Sequence, residues 1–373
     1  MVLGLLPSIR GGLGELAKSG QHSRFIQGYL KPYARIFEEV RYFSYLHESL
    51  YDYTNDAELL AKARLFPGGG WHPWLYAFFM PFRYSHQFRS CTVLRVFQIT
   101  GVIPALVAKR LFGIPFVTTY GFWYSQLARS RTTGWLHRRV AAAGLAAADA
   151  VIVTTPELKA DVVARVGVSK VHLIPNGVNT ELFRPAAPTS RPVKNVLYIG
   201  RFSEEKNLAA LVTAAAKLAS RFPLRLTFIG AGSLRAELGA RAAALGVAAE
   251  FVGVVDHRNL PARYRQADAF VLPSFTEGHP KVLIEAMASG LPCVVSDCAG
   301  NRALVRDGET GLLFDPRNPD VLAAALERVL GDEPLAAALG RRAREVIVRE
   351  YDLAVLVERE IRVLKQIAQK GSR

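Results

Sequence analysis

The chain has 373 residues, 50% of them hydrophobic and 21% charged, a composition that excludes a disordered or fibrous protein and a length that exceeds what one core usually serves. Its net charge of +15 bears on partners and not on fold: residues 1–175 hold 20 Lys/Arg against 10 Asp/Glu, and residues 176–373 hold 27 against 22. The basic first half suits an anionic membrane surface or a lipid-phosphate acceptor, with plain solubility as the alternative, and no nucleic-acid motif accompanies it.

Residues 2–6 read as a first strand, because they lack the basic flank of a signal peptide and run straight into Arg10 and the loop Gly11, Gly12, Leu13, Gly14. Glycines between a strand and a helix let the backbone approach a sugar phosphate, with Gly12 central; a plain turn is the alternative. Further strands are expected at 40–44, 93–98, 116–120, 151–154 and 171–174, alternating with Ala/Leu-rich helical segments. The segment 70–88, GWHPWLYAFFMPFRYSHQF, packs aromatics among His72, Arg83 and His86, which fits either a membrane interface or burial against neighbouring helices. No apolar run reaches the roughly 20 residues of a membrane span, so a cytosolic protein is expected, free or peripheral on the inner face of the membrane. Cys91, Cys293 and Cys298 are an odd set without metal-site spacing and read as reduced packing residues.

Pro185, Pro188 and Pro192 mark a connection near 176–192. This divides the chain into a first domain, 1–175, and a second, 176–351. In the second, strands at 196–200, 225–230, 250–254, 270–274 and 293–296 alternate with helices at 207–222 and 234–245, the signature of a doubly wound α/β sheet. The tail, 352–373, is a helix striped by Leu353, Val357, Ile361 and Leu364 that needs a surface to cover.

Chemistry concentrates in the second domain. The stretch ADAFVLPSFTEGHPKVLIEAMASGLPCVVSD, from Ala267, reads as a strand, a loop holding Glu277, a helix from Pro280 and a stop at Gly290 and Pro292. Glu277, just before the helix, is placed to accept hydrogen bonds from a polyol. Glu285 lies in the most apolar part of the helix, where a carboxylate needs a partner, and two ribose hydroxyls would supply one. In YIGRFSEEKNL, from Tyr198, the cations Arg201 and Lys206 sit on a strand-to-helix loop and suit a diphosphate; a solvated loop paired with Glu204 and Glu205 is the alternative. The GAGS turn at 230–233 lacks the third glycine of a dinucleotide fingerprint, since Arg235 takes that place.

With IPNGVNTELFRP from Ile174, GRFSEEKN from Gly200, the two glutamates separated by seven residues and DGETGLLF from Asp307, the chain resembles the retaining glycosyltransferases of family 4. The resemblance implies the GT-B fold, two Rossmann-like domains facing across a cleft. It implies transfer of a sugar from a UDP- or GDP-sugar to a lipid-linked or saccharide acceptor, with no metal and no cofactor beyond that donor. By it, Arg201 and Lys206 hold the diphosphate, Glu277 the sugar and Glu285 the ribose. Gly278, His279, Lys281 and Val282 complete the sugar pocket, the base lies near Val254, and the tail helix crosses back to the first domain. The chain departs from the family pattern at Tyr120, which precedes Gly121 where a histidine is usual, and at Pro280, where glycine is common. Tyr120 would then donate to sugar or acceptor. An inactive nucleotide-sugar-binding scaffold of a polysaccharide pathway and a nucleotide-sugar epimerase on the same fold are the alternatives.

Overall fold

In the computed structural model residues 1–121, 131–186 and 191–371 are described; Pro188 of the expected connection and the residues after Gly121 up to 130 lie outside them. The chain divides into two units, Met1–Pro175 with Ala354–Arg373, and Asn176–Leu353.

The first unit is built on seven strands, β1 (Val2–Leu6), β2 (Glu39–Phe43), β3 (Ala63–Phe66), β4 (Val93–Val96), β5 (Phe116–Tyr120), β6 (Ala150–Val153) and β7 (Val171–Leu173). They run parallel in the order β3-β2-β1-β4-β5-β6-β7. A parallel sheet is covered on both faces, so its central strands are apolar throughout. All four residues of β4 are buried, including Arg95. Its charge is met by the tail: Arg95 Nε bonds Glu360 Oε1 at 2.5 Å, and Tyr33 donates its hydroxyl to the same oxygen. Glu360 belongs to the helix Leu353–Gly371, whose apolar stripe, Val357, Ile361 and Leu364, is buried.

The second unit has six parallel strands, β8 (Lys194–Ile199), β9 (Leu224–Ile229), β10 (Ala248–Gly253), β11 (Ala269–Leu272), β12 (Cys293–Ser296) and β13 (Leu312–Phe314), in the order β10-β9-β8-β11-β12-β13. The chain winds outward in one direction from β8 and in the other from β11, so a crevice opens beyond the carboxyl ends of these two neighbours. Residues 176–183, expected to start a connection, are instead fastened to this unit. Val178 pairs with Asp352, Thr180 Oγ1 donates to Asp352 Oδ2 at 2.5 Å, and Phe183 is fully buried with its carbonyl held by Arg344. The three cysteines are buried and unbridged.

Candidate functional site

The loops after β8 and β11 meet at the crevice. The β8 loop enters a left-handed turn at Asn207, φ 52°, a conformation that asparagine tolerates better than most residues. The turn aims the Asn207 side chain at two carbonyls, Pro273 at 3.2 Å and Pro316 at 2.8 Å, while Phe275 N–H donates to the Glu205 carbonyl at 2.9 Å. With the loops locked, Lys206 Nζ reaches Glu277 Oε1 at 2.6 Å, and Ser274 Oγ donates to the same oxygen at 2.7 Å. Both charged side chains are mostly buried, 15% and 11% exposed. Lys206 and Glu277 are thus brought to one point. Arg201 is 77% exposed and pairs with Glu205 at 3.2 Å, the arrangement of a solvated loop, which Lys206 does not share.

The glycines around this loop have a packing reason. A Cβ on Gly230 would lie 2.0 Å from the Gly200 carbonyl oxygen, and one on Gly232 would lie 2.2 Å from that of Phe202. The GAGS turn is therefore a bed beneath the Arg201 loop. On the other side, a Cβ on Gly300 would lie 2.4 Å from the Gly278 oxygen and 2.5 Å from that of Glu277. Gly300 sets how far the Glu277 loop folds back, a role with no signal in the sequence.

The helix Lys281–Ala288 starts after Pro280. The N–H groups of Leu283 and Ile284 return to the Pro280 carbonyl, and Lys281 and Val282 precede them at the open end of the helix. His279, 8% exposed, has its carbonyl held by Asn176 at 2.8 Å, while its Nδ1 is buried without a hydrogen-bond partner among the described residues. Burial, then the Lys281 charge, pushes its pKa down to about 4, so the ring is neutral at neutral pH.

Glu285 is 1% exposed. Its Oε1 lies 3.0 Å from His257 Nε2, and Tyr264 donates its hydroxyl to Oε2 at 3.1 Å. Phe183 packs on both partners, with ring centroids at 5.0 and 5.6 Å. The expected partner of this carboxylate was a ribose; in the structure both oxygens are engaged within the protein. His257 and Tyr264 were missed, because nothing local ties them to Glu285, 28 and 21 residues away. Val254, 47% exposed, follows β10 a few residues before His257.

Two residues expected at the site, Gly12 and Tyr120, lie in the first unit. The amides beside Gly12 are already occupied: Leu13 N–H and Gly14 N–H donate to the Glu48 carboxylate at 2.9 and 2.7 Å, and Ser44 and Tyr53 donate to it as well. The glycine loop fits because Glu48 Oε1 would stand 2.6 Å from a Cβ on Gly12. It binds an internal carboxylate where a sugar phosphate was expected. Tyr120 is 3% exposed in the core formed with Phe116, Val151 and Val153. Burial raises its pKa.

Fold and site together define a two-unit α/β protein with a polar crevice at the switch point of its second sheet. Two family models match: Glycosyltransferase Family 4 over residues 23–182 and Glycosyl transferases group 1 over residues 180–346. The chain belongs to this family of glycosyltransferases. Among curated relatives, the phosphatidyl-myo-inositol mannosyltransferase of Mycobacterium tuberculosis (strain CDC 1551 / Oshkosh) is 37% identical over 216 residues, 54% of this chain and 55% of the relative. The glycogen synthase of the same strain is 30% identical over 259 residues, 67% of this chain and 62% of the relative. The chain thus matches little more than half the length of these relatives. Solved structures share the fold: sucrose-phosphate synthase from Thermosynechococcus elongatus has a TM-score of 0.78 at 23% identity, covering 98% of both chains. HepE from Anabaena, in complex with UDP and glucose, has a TM-score of 0.77 at 17% identity, covering 98% of this chain and 99% of that one.

Proposed function

We propose that the protein transfers a sugar from a UDP- or GDP-sugar to a lipid-linked or saccharide acceptor, with retention of configuration and without a metal ion. The observation that carries this reading is the Lys206–Glu277 pair at the switch-point crevice. A cation and an acceptor at one point match the two ends of a glycosyl phosphate, whose phosphate gains charge as the sugar leaves. Lys206, with Arg201 swinging from its exposed place, stabilises the departing diphosphate in the role a divalent cation would otherwise take. Glu277 orients the sugar hydroxyls, with Gly278, the buried Nδ1 of His279 and the first turn of the helix at Lys281 and Val282 around them. Glu285, on the helix Lys281–Ala288, holds the ribose, and the base lies against exposed Val254.

The names of the relatives agree with this chemistry. The mannosyltransferases are named for a lipid acceptor, phosphatidyl-myo-inositol, which supports a lipid-linked acceptor here, and the HepE complex supports a UDP-type donor. The test is acceptor-dependent release of nucleoside diphosphate from UDP- and GDP-sugars in the presence of a chelator, with the anomeric product read by NMR. Nucleotide-sugar binding without release across lipid-linked and saccharide acceptors would overturn transfer in favour of a binding scaffold. Product of inverted configuration would overturn retention.

A further inference from the structure

The helix Pro73–Arg83 is apolar on both faces. Tyr76, Ala77, Met80 and Pro81 are buried against the first unit, while Leu75, Phe78, Phe79 and Phe82 are exposed at 57, 48, 43 and 47%. The spacing 75, 78, 79, 82 is one helical stripe pointing away from the core. Its rings touch: Phe78 lies 5.3 Å from Phe79 and 5.9 Å from Phe82, and Trp71, itself 54% exposed, lies 5.9 Å from Phe79. A continuous aromatic patch of this kind is rare on a monomer's surface unless something covers it.

The charge around the patch identifies what covers it. From Leu59 to Ala148 the chain carries eleven Lys or Arg and not one Asp or Glu. Arg83 closes the aromatic helix and Arg89 follows it, both exposed. The Trp74 ring meets His137 at 5.2 Å, which brings Trp135, 53% exposed, and the exposed Arg138 and Arg139 alongside. None of these four arginines meets a carboxylate among the described residues. A second copy of the chain is disfavoured, because a symmetric contact would set these arginines against their own copies. A sheet of phosphate headgroups over hydrocarbon complements both features at once.

We propose that this face of the first unit docks on an anionic lipid bilayer, with Trp71, Leu75, Phe78, Phe79 and Phe82 entering the acyl boundary and the arginines resting at the headgroups. The docking is independent of donor and acceptor, so its failure and that of the transferase reading are separable.

The full chain, without donor or acceptor, is sedimented with vesicles of phosphatidylcholine alone and of phosphatidylcholine mixed with phosphatidylglycerol. Binding is expected to the mixed vesicles, at least about tenfold weaker to the neutral ones, and weakened by salt. Phe78→Ser/Phe79→Ser/Phe82→Ser should lower partition by about tenfold or more with an unchanged melting temperature, and Arg138→Glu/Arg139→Glu should lower it for the anionic vesicles. Should the triple variant fail to fold, quenching of wild-type tryptophan fluorescence by brominated lipid decides insertion in its place, and absence of quenching counts against the proposal. A folded triple variant that sediments like the wild type overturns it. So does a wild type that ignores both vesicles, or a wild-type dimer that the triple variant turns into monomer, which would give the patch to a second copy.

Discussion

Replacing Glu285 with alanine tests the second unit at its most enclosed charge. The substitution takes the carboxylate from His257 Nε2 at 3.0 Å and from Tyr264 Oη at 3.1 Å, whose residues are 5% and 0% exposed; the tyrosine hydroxyl keeps the Val282 carbonyl at 3.0 Å, so the histidine bears the loss. The buried histidine nitrogen left unsatisfied costs about 1–3 kcal/mol, and the void under the helix adds about 1 kcal/mol, so about 2–4 kcal/mol is expected. In a unit of this size 1 kcal/mol corresponds to about 2–4 °C in Tm, which predicts a drop on the order of 10 °C. Glu285→Gln keeps one acceptor oxygen for His257 and offers an amide to the Tyr264 hydroxyl, so it should lose less than half as much. Thermal melts of the three proteins, with and without UDP and GDP, separate the two roles of the residue. The internal bonds govern the melt without nucleotide, and the proposed ribose contact governs the additional shift on adding it. A Glu285→Ala variant that melts with the wild type would refute the buried pairing, whatever its effect on nucleotide.

Arg201→Ala should leave Tm nearly unchanged, since its pair with Glu205 is a surface one, yet lower kcat about 100-fold through loss of leaving-group stabilisation; unaltered turnover in a steady-state assay would remove Arg201 from the site. Lys206→Met should cost both, a kcat loss of about 100- to 1000-fold and a measurable loss of stability in a urea titration, because Glu277 is left mostly buried with Ser274 as its remaining partner. Gly300→Ala should displace the Glu277 loop, whose carbonyls stand 2.4–2.5 Å from the new Cβ, giving a folded protein with strongly reduced transfer; full activity would show that the loop yields cheaply. His279 has a folded pKa of about 4 against an ordinary 6.5, so the unfolded state binds the extra proton first. The stability tied to its neutral form is complete above about pH 6.5 and is lost as pH falls toward about 4, at most about 3 kcal/mol. In denaturant titrations His279→Phe should therefore lose less stability than the wild type on going from about pH 7 to about pH 5, and equal losses would contradict the depressed pKa.

The strands that carry β-branched runs between clear turns, such as β5, β6, β11 and β12, were legible. β3 and β13 were not. Residues 63–66 begin directly at the end of the helix Ala57–Lys62 and form an edge strand with a mostly uncovered outer face, so neither a turn nor an alternation announces them. Leu312–Phe314 is three residues long, too short for any period to show. At the site, Lys206 and Glu277 were visible one by one because each stands on a strand-to-helix loop, but their bond spans 71 residues of sequence. The aromatic helix is the opposite case: its apolar residues were legible, but a helix apolar all round does not say which face the core takes, so a membrane interface and burial both stayed open. Glu48 was invisible for another reason: an isolated glutamate outside any motif gives no hint that it fills the amides of a glycine loop, and the glycines alone invited an external anion.

The bond between Arg95 and Glu360 also bears on how the protein is made. The two residues are 265 positions apart, and at about 5–20 residues per second a ribosome adds the second on the order of 10–50 s after the first. Through that interval the first sheet has its central strand but not the carboxylate that neutralises it, and an unpaired buried guanidinium costs several kcal/mol. The nascent first unit therefore waits, with its sheet exposed where the helix Leu353–Gly371 will lie, until Glu360 has been added. The second unit, continuous in sequence, is free to fold in the meantime, so the order of completion runs opposite to the order of synthesis.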